Sequence, residues 1–174
     1  MLLFENCKIV PAFQDQTGAA IAGDWISMKH YKKCLILVHE MRGADATATV
    51  YRVDKATSVA GADQATGITL NNFWQVKDVP STTGDVGGTA AATVGATDTW
   101  VKGTAATSIT SEVTQSVGEY YAIEIDGSEL WSSTADYDCI QLQVVSSNAA
   151  HYISAWYILY EPKFAEDLTV SAIV

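Results

Sequence analysis

The sequence predicts an all-β domain built as a sandwich or barrel, and three observations predict it. Short runs rich in Val, Ile, Thr, Tyr and Trp recur at roughly 8–15-residue intervals between clusters of Gly, Asp, Ser and Asn. No segment keeps apolar residues at i, i+3, i+4 and i+7 for three turns; the nearest, "DKATSVAGADQATG", is broken by glycines. The chain has 174 residues, 48% of them hydrophobic. That is the size of one domain, long enough to bury roughly 70% of its extended surface without a staple or a metal.

The strands follow in order. "GDWISM" sets Trp25 and Ser27 on one face and Ile26 and Met28 on the other. "CLILVHEM" is almost continuously apolar, as for a strand covered on both faces. "TATVYRV" puts Val50 opposite Tyr51 and Val53, and "NFWQVKDV" is a further strand. "WVKGTAATSIT" and "SEVTQSV" are weaker and rich in Thr. "EYYAIEI" turns Tyr121, Ile123 and Ile125 to one side. "CIQLQVV" alternates, with Ile140, Leu142 and Val144 inward and Gln141 and Gln143 outward. The aromatic density of "HYISAWYILY" suits a central strand.

Residues 1–164 read as a single domain interrupted by a flexible loop at about 81–99, "STTGDVGGTAAATVGATDT", whose small uncharged residues are too many for a hairpin turn. Residues 165–174 read as a C-terminal tail or arm, whose apolar end has to dock on the domain or reach a neighbour. The N-terminal "MLLFENCKIVPAF" lacks a basic segment and is interrupted by Glu5, so no signal peptide is expected. No apolar stretch approaches the ~18 residues that a membrane helix needs.

A net charge of −10 argues against nucleic acid, which requires clustered Lys and Arg. The densest basic group is only Lys29, His30, Lys32 and Lys33. Cys7, Cys34 and Cys139 form no close pair, which points to buried free thiols in a reducing compartment rather than zinc or disulfides. Nucleophile elbows, phosphate loops, H-E-x-x-H and calcium-loop patterns are absent.

The stretch "EIDGSELWSSTADYDCIQLQVV" crowds Asp126, Glu129, Asp136 and Asp138 beside Cys139. Carboxylates so close suggest a calcium loop or a glycosidase pair. The spacing fits better a strand over 120–126, a polar crossover pinned to the core by Leu130 and Trp131, and a strand over 138–145. His30 and His151 read as exposed loop residues, and His39 as a hydrogen-bonded core or edge histidine. A Cys–His pair drawn from Cys34, Cys139, His39 and His151 is the remaining nucleophilic option. Trp74, Trp100, Trp131, Tyr120 and Tyr157 could form a sugar platform if two or more tryptophans shared one concave face; most such rings fill cores.

Beyond these readings, "IVPAF", "TGAAIAGDWISMKHYKKCLILVHEMRGADATATV", "EYYAIEIDGSELW", "DYDCIQLQV" and "LYEPKFAEDLTVSAIV" together resemble a family of small virion structural proteins of tailed bacteriophages, capsid decoration (cement) proteins. Trp131 stands where that pattern has an acidic residue, and the 81–99 loop lies outside it. The resemblance implies an antiparallel β-sandwich of jelly-roll type and a non-enzymatic role without a cofactor. It implies homotrimers on the outside of the capsid, made in the host cytoplasm, binding the major capsid protein and no nucleic acid or membrane. A glycan-binding module, a head fibre and a minor tail component are the alternatives.

Overall fold

The computed structural model describes residues 6–17, 20–42, 47–79, 99–111 and 118–163. Their strands are β1 (Cys7–Gln16), β2 (Ile21–Ala22), β3 (Ile26–Ser27), β4 (Tyr31–Met41), β5 (Val50–Ala56) and β6 (Asn72–Val79). They continue with β7 (Val101–Lys102), β8 (Ile109–Thr110), β9 (Gly118–Asp126), β10 (Cys139–Ser146) and β11 (Tyr152–Pro162). One 3₁₀ turn, Gly127–Leu130, follows β9. The expected all-β architecture is found, as two antiparallel sheets in a sandwich-like arrangement. One sheet runs β1-β11-β4-β9-β6-β7; the other runs β2-β10-β5-β8, with β3 also beside β10.

The pairing has a simple arithmetic. Cys7 faces Tyr160, Ala22 faces Gln143, Ser27 faces Cys139, Cys34 faces Ile125 and Tyr51 faces Ile109. As one partner advances along the chain, the other retreats by nearly the same count. The molecule is therefore one long antiparallel ribbon, folded so that successive pieces alternate between the sheets. β6 and β7 lie between β5 and β8 in the chain and extend the first sheet beyond β9.

Strand parity builds the core. Ile36 and Val38 of β4, Tyr121 and Ile123 of β9 and Tyr157 of β11 meet Tyr51 and Val53 of β5 and Leu142 of β10 in one buried cluster. The Tyr157 hydroxyl spans the layers, accepting from the Leu142 amide at 2.7 Å and donating to the Asp24 carbonyl at 3.2 Å. Burial pushes its pKa up, so the phenol stays protonated. Gly23 makes this possible: a Cβ there would stand 2.8 Å from that hydroxyl. Gly103 plays the same part for Phe73, whose ring occupies the space a Cβ would take.

One strand differs from its sequence expectation. In β4, Cys34, Ile36 and Val38 are fully buried, but Leu35 and Leu37 on the other face are only half-buried. Their register neighbours are Glu124 and Ile158 for Leu35 and Ala122 and Trp156 for Leu37. "SEVTQSV" after Ser111, the 81–99 loop apart from Thr99, and the 165–174 tail lie outside the described residues.

Candidate functional site

The acidic stretch forms one pole of the sandwich. β9 ends at Asp126, whose carboxylate accepts from the Ser128 amide at 2.8 Å and the Ser128 hydroxyl at 2.7 Å. Glu129 reaches back to the Asp126 amide at 3.3 Å, completing a capping box. The Ser128 bonds hold the Asp126 carboxyl below its ordinary value, with a smaller contribution from nearby lysines. Glu129 also accepts from Asn71 at 2.9 Å. Asp138 takes the Cys139 thiol at 3.0 Å. Burial first, and Asp138 second, push that thiol up to about 12. Three of the four carboxylates thus hold the crossover together, while Asp136 is exposed.

The turn closes on Leu130, 1% exposed, while Trp131 beside it is 76% exposed. Leu130 pins the crossover as expected; Trp131 does not. Once Leu130 enters the core, the next side chain of this tight turn has to leave it. Lys55 secures the turn from outside: its ammonium donates to the Leu130 carbonyl at 3.1 Å and lies 4.5 Å from the Tyr137 ring centre. Leaving a tryptophan so exposed forgoes on the order of 3–5 kcal/mol of burial. Trp131 stands on a groove of about 720 Å³, with Asp126, Asp136, Asp138, Lys32 and Lys163 along it. Glu129 faces a separate cleft with Lys55 and Asn71. No three His, Cys, Asp or Glu side chains converge as metal ligands among the described residues.

The opposite pole holds a buried polar cluster that the sequence reading missed. Glu40 of β4 and Glu119 of β9 are register partners, both fully buried. Arg42 lies between them, its Nε 3.4 Å from Glu40 Oε1 and 3.6 Å from Glu119 Oε1. Glu40 also accepts from the Thr49 hydroxyl at 2.5 Å and the Tyr51 hydroxyl at 2.7 Å, and His151 Nδ1 lies 3.1 Å from it. Tyr121 donates to Glu119, and Arg42 to Ser111. Burial, then Glu40, raise the Tyr51 pKa; burial, then Glu119, raise that of Tyr121, so both phenols remain donors. The cluster fastens strands of both sheets together, since β4 and β9 belong to one and β5 to the other.

The other candidates disperse. His30 is exposed as expected, but His151 is fully buried because its ring closes onto Glu40 and Thr49. His39 lies on the outer face of β4, stacked on Tyr120 with ring centres 4.5 Å apart. Burial lowers its pKa, partly offset by Asp15 and Glu40. Cys34 points inward from the same strand, so it and His39 lie on opposite faces, while Cys139 sits at the groove pole, away from His151. All three thiols are free and buried. Tyr157 is in the core, Trp74 is half-buried, and Trp100 is exposed beside β7. Of the five proposed platform rings only Trp131 reaches the groove.

No family model matches the chain. No curated protein matches it either. Among solved structures it is similar to the crystal structure of the SPBc2 prophage-derived protein YomS, at 11% identity and a TM-score of 0.44, over 90% of this chain and 94% of that one.

Proposed function

We propose that the chain is a non-enzymatic virion structural protein of a tailed bacteriophage, a jelly-roll decoration protein that binds the major capsid protein on the outside of the head. In this reading homotrimers clamp neighbouring capsomers. The observation that carries it is the folded ribbon. With β6 and β7 set aside as an insertion, the strands run β1-β11-β4-β9 and β2-β10-β5-β8, the order of two interlocked Greek keys. That order supports the jelly roll implied by the family resemblance.

Jelly rolls serve capsids, lectins and enzymes alike, so the sites have to choose among them. Here the thiols are buried and, Asp136 apart, the clustered carboxylates hold the scaffold, which leaves the surface to act. Exposed apolar side chains such as Val101 and Tyr152 are available for contacts between subunits. The test is the solution mass by light scattering, then co-sedimentation with matching empty heads. A trimer pelleting at a fixed ratio to capsid protein is expected, and deleting residues 165–174 should weaken the trimer or its binding to heads. A monomer that ignores heads overturns the reading in favour of a fibre or tail role.

A further inference from the structure

We propose that the groove beside the 3₁₀ turn is a saccharide site, which seats one neutral pyranose ring on the face of Trp131. The proposal does not depend on head decoration. Trp131 is the most exposed large apolar side chain among the described residues. Its backbone is fixed by the capping box, the buried Leu130 and the Lys55 bond, so the ring is presented from a rigid base. Preorganisation of that kind reduces the entropy lost on binding. The groove, at about 720 Å³, has the size of small-molecule sites.

Its lining offers both hydrogen-bond senses. Asp136 and Asp138 accept, and Lys32 and Lys163 donate. A pyranose has the matching anatomy: an apolar C–H face for the indole and a rim of hydroxyls that give and take hydrogen bonds. The charge excludes other classes. Four carboxylates (with Asp126 and Glu161) against two ammoniums leave the groove negative, so anionic sugars and phosphates are repelled.

A quaternary ammonium wants several open aromatic faces. Here Lys55 already lies over Tyr137, and among the described residues one ring remains. A protein hot spot would surround the indole with apolar neighbours, but among the described residues Ala135 is the only aliphatic side chain along the groove. A single platform ring holds a single sugar residue, so the affinity belongs in the millimolar range, about 1–20 mM.

The test is a titration of the ¹⁵N-labelled full chain with methyl glucoside, methyl galactoside, methyl mannoside, rhamnose and N-acetylglucosamine to about 50 mM. N-acetylneuraminic acid serves as the anionic control. The Trp131 indole N–H signal is assigned by its loss in Trp131→Ala. At least one neutral probe should shift it saturably, with no response to the anionic control. Trp131→Ala should bind that probe at least about tenfold more weakly and Asp136→Asn several-fold more weakly, while Trp100→Ala binds it unchanged. A silent neutral panel, equal binding by Trp131→Ala, or binding of the anionic sugar alone overturns the proposal. If the panel is silent and Trp131→Ala loses co-sedimentation with empty heads, the groove belongs to a protein partner instead.

Discussion

Replacing Arg42 by Met should be among the most damaging single changes at the polar pole, because it leaves two facing carboxylates without the guanidinium between them. Glu40 and Glu119 oppose each other across β4 and β9, and Arg42 Nε lies 3.4 and 3.6 Å from their nearest oxygens. At an effective dielectric of about 20, each such contact amounts to roughly 5 kcal/mol of Coulomb attraction. Arg42's own desolvation offsets much of that gain, and the Thr49, Tyr51 and Tyr121 hydroxyls still serve the carboxylates afterwards. The expected net loss is about 3–5 kcal/mol, the range for removing one partner of a buried ion pair.

Urea unfolding at pH 7, followed by tryptophan fluorescence, measures this as a lower midpoint at unchanged slope. Adding Glu119→Gln to the Arg42→Met chain removes one stranded charge and should return about 1–2 kcal/mol. A single-variant loss below about 1 kcal/mol, or strict additivity of the two changes, would refute the claim that Arg42 neutralises this pair.

Four further outcomes are expected. Gly103→Ala should cost about 1–3 kcal/mol in the same assay, because Phe73 fills the space its Cβ needs. Leu130→Ala should cost about 2–4 kcal/mol while Trp131→Ala stays within about 0.5, and equal losses would contradict the opposite burial of these neighbours. Burial raises the Cys34 thiol pKa and lifts that of Cys139 to about 12, so native protein at pH 8 should resist iodoacetamide at both, and unfolded protein should react at all three cysteines. His39 should titrate by NMR below its ordinary 6.5. The native state then binds that proton less readily than the unfolded chain does, so its share of stability is whole above about 6.5 and is lost as pH falls through the lower folded value.

Period-two alternation carried most of the architecture into view. Ile140, Leu142 and Val144 were legible as inward residues, as were Tyr121, Ile123 and Ile125. The same alternation contained the polar pole: counting inward from Cys34, Ile36 and Val38 reaches Glu40, and counting back from Ile123 and Tyr121 reaches Glu119. A charged residue on the buried parity was the available signal. Arg42, Ser111 and His151 lie just beyond strand ends, where alternation stops informing, so nothing local marked His151 as buried. Trp131 departs from its sequence expectation because a large aromatic usually turns inward, whereas this tight turn gives the core to Leu130. The groove was hidden for another reason: its Lys163 and Asp136 are far apart in sequence and meet only once β9, β10 and β11 are aligned.

The ribbon pairing also governs when this protein can fold. Among the described residues β1 pairs with β11 alone, so it has no sheet partner until β11 has been made. Before then there is no native sheet for β1 to join, and nearly every pairing among the described strands closes across many intervening residues. Such a fold forms slowly. Until it does, the long β1 edge is open to strands of other chains. β1 is suited to that wait: Pro11 withholds one backbone donor, and irregularities between Pro11 and Phe13 and between Phe13 and Gln16 spoil the straight edge that a stray strand would need.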